Sequence, residues 1–115
     1  MSETNKVNET TAKPVKELTL REKVVGTYEG KEGGVTLKIV LLETGIVEKY
    51  INGKKHEEEG KWKIVERQIH IIDGQGKIDV VRINKDNSIT NIASIRNGKR
   101  IDVPKEEQLT VKKIK

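Results

Sequence analysis

Residues 43–64 read ETGIVEKYINGKKHEEEGKWKI. Two turn signals frame this stretch. Asn52-Gly53 is a strong two-residue hairpin signal, because both central residues of such a turn must accept positive φ. Glu43-Thr44-Gly45 fits a three-residue loop that ends in a left-handed glycine and a bulge. The first turn predicts the pairs Ile51 with Lys54, Lys49 with His56, Val47 with Glu58 and Gly45 with Gly60. The second predicts Leu42 with Ile46, Leu41 with Val47 and Ile39 with Lys49. Side chains alternate across a strand, so these registers sort the residues by face. Val35, Leu37, Ile39, Leu41, Val47, Ile51, Trp62 and Ile64 share one face, which is the candidate core. Lys38, Glu48, Lys55, Glu57, Glu59, Lys61 and Lys63 share the other, which is solvated. Val40, Leu42, Ile46 and Tyr50 also fall on the outer face and want cover.

Gly60 stands two residues before Trp62, and Gly26 two before Tyr28. A glycine on the inner face leaves room for a large neighbouring side chain and lets the strand bend. The expectation is that each aromatic plugs a corner that its glycine opens. Similar phrases recur, with Gly-x-aromatic at the start and Asn-Gly-Lys at the end. Their spacings differ, which speaks for repeated barrel geometry and against a solenoid.

The rest of the chain follows the same pattern. Strands are expected over 26–31, 35–43, 46–51, 54–65, 68–73, 77–83, 88–96, 99–103 and 108–114. Gly33-Gly34, Asp73 to Gly76, Asn84 to Asn87 and Asn97-Gly98 separate several of them. No connection is long enough for a crossover helix, so neighbours pair as an antiparallel meander. Eight to nine such strands are expected to close into a barrel, since closure removes exposed edges. Thr19 and Glu22 match a capping box, which predicts one short helix near 20–25 with Gly26 ending it. Residues 1–17 are polar and contain Pro14, and the expectation is a disordered tail before a single domain over 18–115.

Composition agrees with an all-β domain. Of the 115 residues 33% are hydrophobic, and they are mostly isoleucine and valine, whose branched side chains suit a pleated surface. The 23 basic and 18 acidic side chains leave a formal charge of +5 with the signs interspersed. That pattern serves solubility first and points only weakly to a polyanion. The absence of cysteine excludes disulfides, thiolate nucleophiles and cysteine-ligated zinc. The longest apolar run is Ile39 to Leu42, far short of a transmembrane helix.

The segments LREKVVGTYEG (20–30), EEEGKWKIVERQIHI (57–71) and EEQLTVKKIK (106–115) resemble the small bacterial lipocalin-like domains of envelope lipoproteins. One example is the N-terminal domain of copper-responsive outer-membrane lipoproteins. The resemblance spans about residues 18–115. It implies a lipocalin-like barrel, an extracytoplasmic setting at the periplasm or cell surface, and a tether in the first 17 residues. On that footing a lipid anchor would lie outside this chain, with Met1 standing where an acylated cysteine would be. The copper-linked proteins carry a Cys pair after the first strand. Here the stretch is GKEGGVTL, so copper chemistry is not carried over.

The residues give no catalytic constellation. The two histidines, His56 and His70, stand apart; there is no phosphate loop before a helix and no nucleophile elbow. The expectation is a non-catalytic, monomeric binding or interaction module without cofactor or metal. Its partner would be a small amphipathic ligand or an envelope protein. The predicted register places Lys49, His56 and Glu58 on the inner face near the Asn52-Gly53 turn, with Trp62 deeper. There Lys49 would neutralise Glu58, and the group would line the mouth of a small cavity. A slip of one residue would turn all three outward. The alternative function is a basic barrel that binds single-stranded nucleic acid through Lys54-Lys55, Lys99-Arg100 and Lys112-Lys113. Its weakness is the shortage of stacking aromatics.

Overall fold

The computed structural model describes residues 20–115. The expected disordered tail of residues 1–17 lies outside the described residues, as does the Thr19 side of the capping box. Residues 20–24 form the short helix. Ten strands follow: β1 Gly26–Glu32, β2 Val35–Leu41, β3 Ile46–Ile51, β4 Lys54–Lys55, β5 Gly60–Val65, β6 Gln68–Ile72, β7 Ile78–Ile83, β8 Ile89–Arg96, β9 Lys99–Asp102 and β10 Thr110–Lys113. A 3₁₀ turn at Lys105–Glu107 separates the last two.

All pairings are antiparallel. The order runs β8-β10-β1-β2-β3-β5-β6-β7, and β7 pairs back to β8, so eight strands close an up-and-down barrel. Two of the ten strands are fragments rather than staves. β4 and β5 both pair with β3, the first beside Ile51 and the second beside Val47. They form one strand interrupted at 56–59, where continuity over 54–65 was expected. β9 and β10 likewise share one edge of β8 on either side of the 3₁₀ turn.

The hairpin chemistry is as the sequence announces in three places. Gly33-Gly34, Asn52-Gly53 and Asn97-Gly98 all have positive φ at both positions, the type I′ geometry that matches strand twist. A fourth hairpin gives no such signal. Glu66 and Arg67 join β5 to β6 with φ of 50° and 68°, a conformation that costs free energy for residues with a Cβ.

The register between β2 and β3 is the predicted one, with Leu41 opposite Val47 and Ile39 opposite Lys49. Gly45 takes φ +93°, and the Leu42 amide donates to the Ile46 carbonyl at 2.9 Å. In the next hairpin Ile51 faces Lys54, and the His56 amide donates to the Lys49 carbonyl at 2.7 Å. From there the expectation fails. Val47 faces Gly60, not Glu58, and the Trp62 amide donates to Gly45. The interruption at 56–59 inserts two residues. Two is the side-chain period of a strand, so every residue from Gly60 onward keeps the face that the sequence assigned to it.

The core contains Val24, Tyr28, Leu41, Val47, Trp62, Ile69, Val81, Ile89 and Val111. Gly60 is required there: a Cβ would approach the Val47 side chain to 2.9 Å and the Ile72 carbonyl to 2.8 Å. Gly26, just after the helix, takes the positive φ expected of it. Its φ is +151°, and a Cβ would strike the Lys115 carbonyl, which accepts from the Thr27 amide at 3.2 Å.

Candidate functional site

One end of the barrel is plugged by the helix. Tyr28 is 1% exposed and donates its hydroxyl to the Val24 carbonyl at 2.6 Å. Lys113 donates to the Lys23 carbonyl at 2.6 Å. These bonds satisfy carbonyls at the helix C-terminus that have no partner within the helix. Burial pushes the Tyr28 phenol up to about 12. Trp62 is 3% exposed and donates from Nε1 to the Leu42 carbonyl at 2.8 Å. The Arg21 guanidinium lies 4.4 Å from the centre of its ring and donates to the Glu43 carbonyl at 3.0 Å.

The other end holds a cavity of about 340 Å³, a size typical of small-molecule sites. Its walls come from inward positions of seven strands, among them Leu37, Ile39, Val47, Ile71, Val81 and Ile89. The mouth is charged. Lys49, His56, Glu58, Glu59, Lys77 and Asp79 border it, with Asp73 and Gln75 from the β6–β7 turn. Asp73 is occupied in shaping that turn, since its Oδ1 accepts from the amides of Gln75 at 2.8 Å and Lys77 at 3.0 Å. The Gln75 amide, helped by that of Lys77, holds the Asp73 carboxyl below its usual value. Lys77 pairs with Asp79 at 3.6 Å. Around the mouth sit exposed apolar side chains at inward positions. Val35 and Ile51 are 42% and 43% exposed and share the face of Leu37. Ile101 is 59% exposed and pairs with Ser94, which pairs with Asp79.

Of the residues singled out from the sequence, Lys49, His56 and Glu58 come together at this mouth. Trp62 shares their face but belongs to the plug and does not line the cavity. The expected Lys49–Glu58 ion pair does not form among the ion pairs of the described residues. The two-residue interruption explains why. It carries Glu58 toward the β6–β7 turn, where its carboxylate lies against Gly74. His56 helps shape the interruption, as its Nδ1 accepts from the Glu58 amide at 3.3 Å. His70 pairs with Val80 on the outer face, away from the cavity. Burial there, with Lys63 and Arg100 adding, lowers its pKa.

Sequence reasoning missed Lys77, Asp79 and Asn91, as well as Asp73 and Gln75, and it set Glu59 on the outer face although it borders the mouth. The signal for the first two was present in GKIDVVRI (76–83): Lys77 and Asp79 alternate with Val81, so one inward face changes from charged to apolar along β7. Asn91 was masked by the bulge beside it. Val80 faces Ala93 while Val81 faces Asn91, which leaves Ile92 as an extra residue.

The basic pairs of the alternative reading are divided by the fold. Lys54-Lys55 and Lys99-Arg100 sit on hairpins at the open end. Lys112-Lys113 pairs with Glu29 and Tyr28 toward the plugged end. Tyr28 and Trp62 are buried, and Tyr50 is half-buried with Lys38 4.6 Å above its ring. Among the described residues no three His, Cys, Asp or Glu side chains converge on a metal position, and no helix is long and apolar enough to cross a membrane. Comparison with protein-family models, with curated proteins and with solved structures finds no match for this chain.

Proposed function

We propose that this protein is a non-catalytic binding module whose barrel cavity holds a small amphipathic molecule. The observation that carries this reading is the 340 Å³ cavity with apolar walls and a charged mouth. The apolar part of the ligand packs on Leu37, Ile39 and Val47, and its polar group stays at the rim beside Lys49, His56 and Glu58. The non-catalytic character is supported by the separation of the two histidines, one at the mouth and one on the outer face. An extracytoplasmic setting, as the resemblance to envelope lipoprotein domains implies, belongs to the same proposal. Fractionation of cells that carry the natural gene tests it, and recovery in the cytosol overturns it.

The cavity reading is tested with 1-anilinonaphthalene-8-sulfonate as the probe. Saturable fluorescence enhancement is expected for the wild-type barrel. It should be lost in Ile39→Trp and Val81→Phe, which fill the cavity from opposite walls and are each checked for folding by circular dichroism. Unchanged binding in both folded variants rules the cavity out. A salt series separates the two function classes: affinity for an oligo-dT strand that falls steeply with salt, with no probe binding, would favour the polyanion reading.

A further inference from the structure

The proposed role leaves one cavity side chain unused. Asn91 lies at an inward position of β8, beside the bulge and opposite Val81. Its Oδ1 is buried and has no hydrogen-bond partner, the one such atom among the described residues. Buried amide oxygens nearly always have a partner, and one left without calls for an explanation. The backbone does not demand the side chain, because the Asn91 amide donates to the Leu109 carbonyl at 3.2 Å.

The neighbouring polar groups show the contrast. Asn84 Nδ2 donates to Ser88 Oγ at 3.0 Å and to Thr90 Oγ1 at 2.8 Å, and Thr90 shares a 2.6 Å hydrogen bond with Thr110. This strand therefore satisfies the polar groups beside Asn91 and leaves the cavity-lining one open. Bulges commonly re-aim a side chain next to a functional site.

We propose that Asn91 is the recognition residue of the cavity, and that it hydrogen-bonds an N–H or O–H group on the part of the ligand that enters the cavity. The inference rests on the cavity being a binding site. The terminal amide turns about its last single bond without moving the backbone, so it can meet such a group from the wall. The ligand class is then molecules whose buried, mainly apolar part carries one donor at depth, such as a hydroxyl, phenol or heteroaromatic N–H. Hydrocarbons and compounds that only accept hydrogen bonds are disfavoured, because they leave the buried oxygen unpaired.

Indole and 1-methylindole differ only by that donor and make the test. Calorimetric titration should show indole binding about tenfold more tightly than 1-methylindole to the wild-type protein. In Asn91→Leu the preference should vanish or reverse. That variant should also melt no lower than wild type, since it removes an unsatisfied buried group; a purely structural asparagine would lower the melting temperature. Equal affinity of the two probes for wild type means that water satisfies the amide, and it overturns the proposal. If the anilinonaphthalene probe enters the cavity but neither indole does, the cavity reading survives and the role of Asn91 falls. If no probe binds, both fall.

Discussion

Tyr28 and Trp62 at the plugged end each make one hydrogen bond to a backbone carbonyl and are otherwise enclosed. At the open end, Lys49, His56 and Glu58 are exposed. Yet a single strand serves both ends: Val47 of β3 belongs to the core, and Lys49, two residues on, stands at the mouth. The difference lies in what lies beyond the last strand residue. A helix closes one end and brings Arg21, Val24 and Lys23 to the rings and side chains that hold it. The hairpins 33–34, 52–53 and 97–98 close nothing at the other, so water reaches the inward face and charges are tolerated there. Burial is therefore concentrated at one end and exposed charge around a cavity at the other.

The largest effect that separates the ends should come from Trp62→Ala. Truncation of a buried aromatic costs about 3–5 kcal/mol, and urea denaturation should show it as a lowered midpoint with little change in slope. A loss under about 1 kcal/mol would mean that the plug is not the stable end.

Tyr28→Phe should cost about 1–2 kcal/mol, because the Val24 carbonyl loses its donor while the ring stays packed. It also carries a pH signature. The phenol titrates near 10 when unfolded and at about 12 when folded. The unfolded chain thus releases this proton first, and the contribution is intact below pH 10 and lost as pH rises toward 12. Alkaline denaturation profiles of wild type and Tyr28→Phe should differ in that window and run parallel below it.

At the mouth the smallest effect on folding is expected. Lys49→Ala and Glu58→Gln should each change stability by about 0.5 kcal/mol or less, as for exposed side chains without a structural partner. Both should nevertheless alter the affinity of the anilinonaphthalene sulfonate, and in opposite directions. Removing the ammonium weakens binding of the anion, whereas neutralising the carboxylate strengthens it. Equal and large destabilisation by either variant would erase the distinction between the ends.

Much of this division is legible in the chain. The β2–β3 register, the three glycine-bearing I′ hairpins and the inward face of Trp62 follow from period-two alternation and turn chemistry. What stays hidden is of two kinds. Glu66-Arg67 turns the chain without any residue that favours positive φ, so only the strands on either side impose it. The interruption at 56–59 and the bulge at Ile92 change strand length locally, and a run of glutamates or an apolar Ile gives no sign of where a ladder breaks. The candidate site lies where those irregularities cluster, which is why Lys49, His56 and Glu58 of its rim were found while the rest of the rim and Asn91 were not.

The interruption between β4 and β5 has a bearing on how this protein can change. Four residues, His56 to Glu59, occupy a place where an unbroken hairpin would need two. The surplus is one full pleat repeat, so the barrel beyond it is indifferent to its presence. Pairs of residues can therefore be added or removed here without reorienting any core side chain, while single ones reverse the whole of β5. The mouth of the cavity can be remodelled in such steps of two by descent or by design, with the plugged end unaltered.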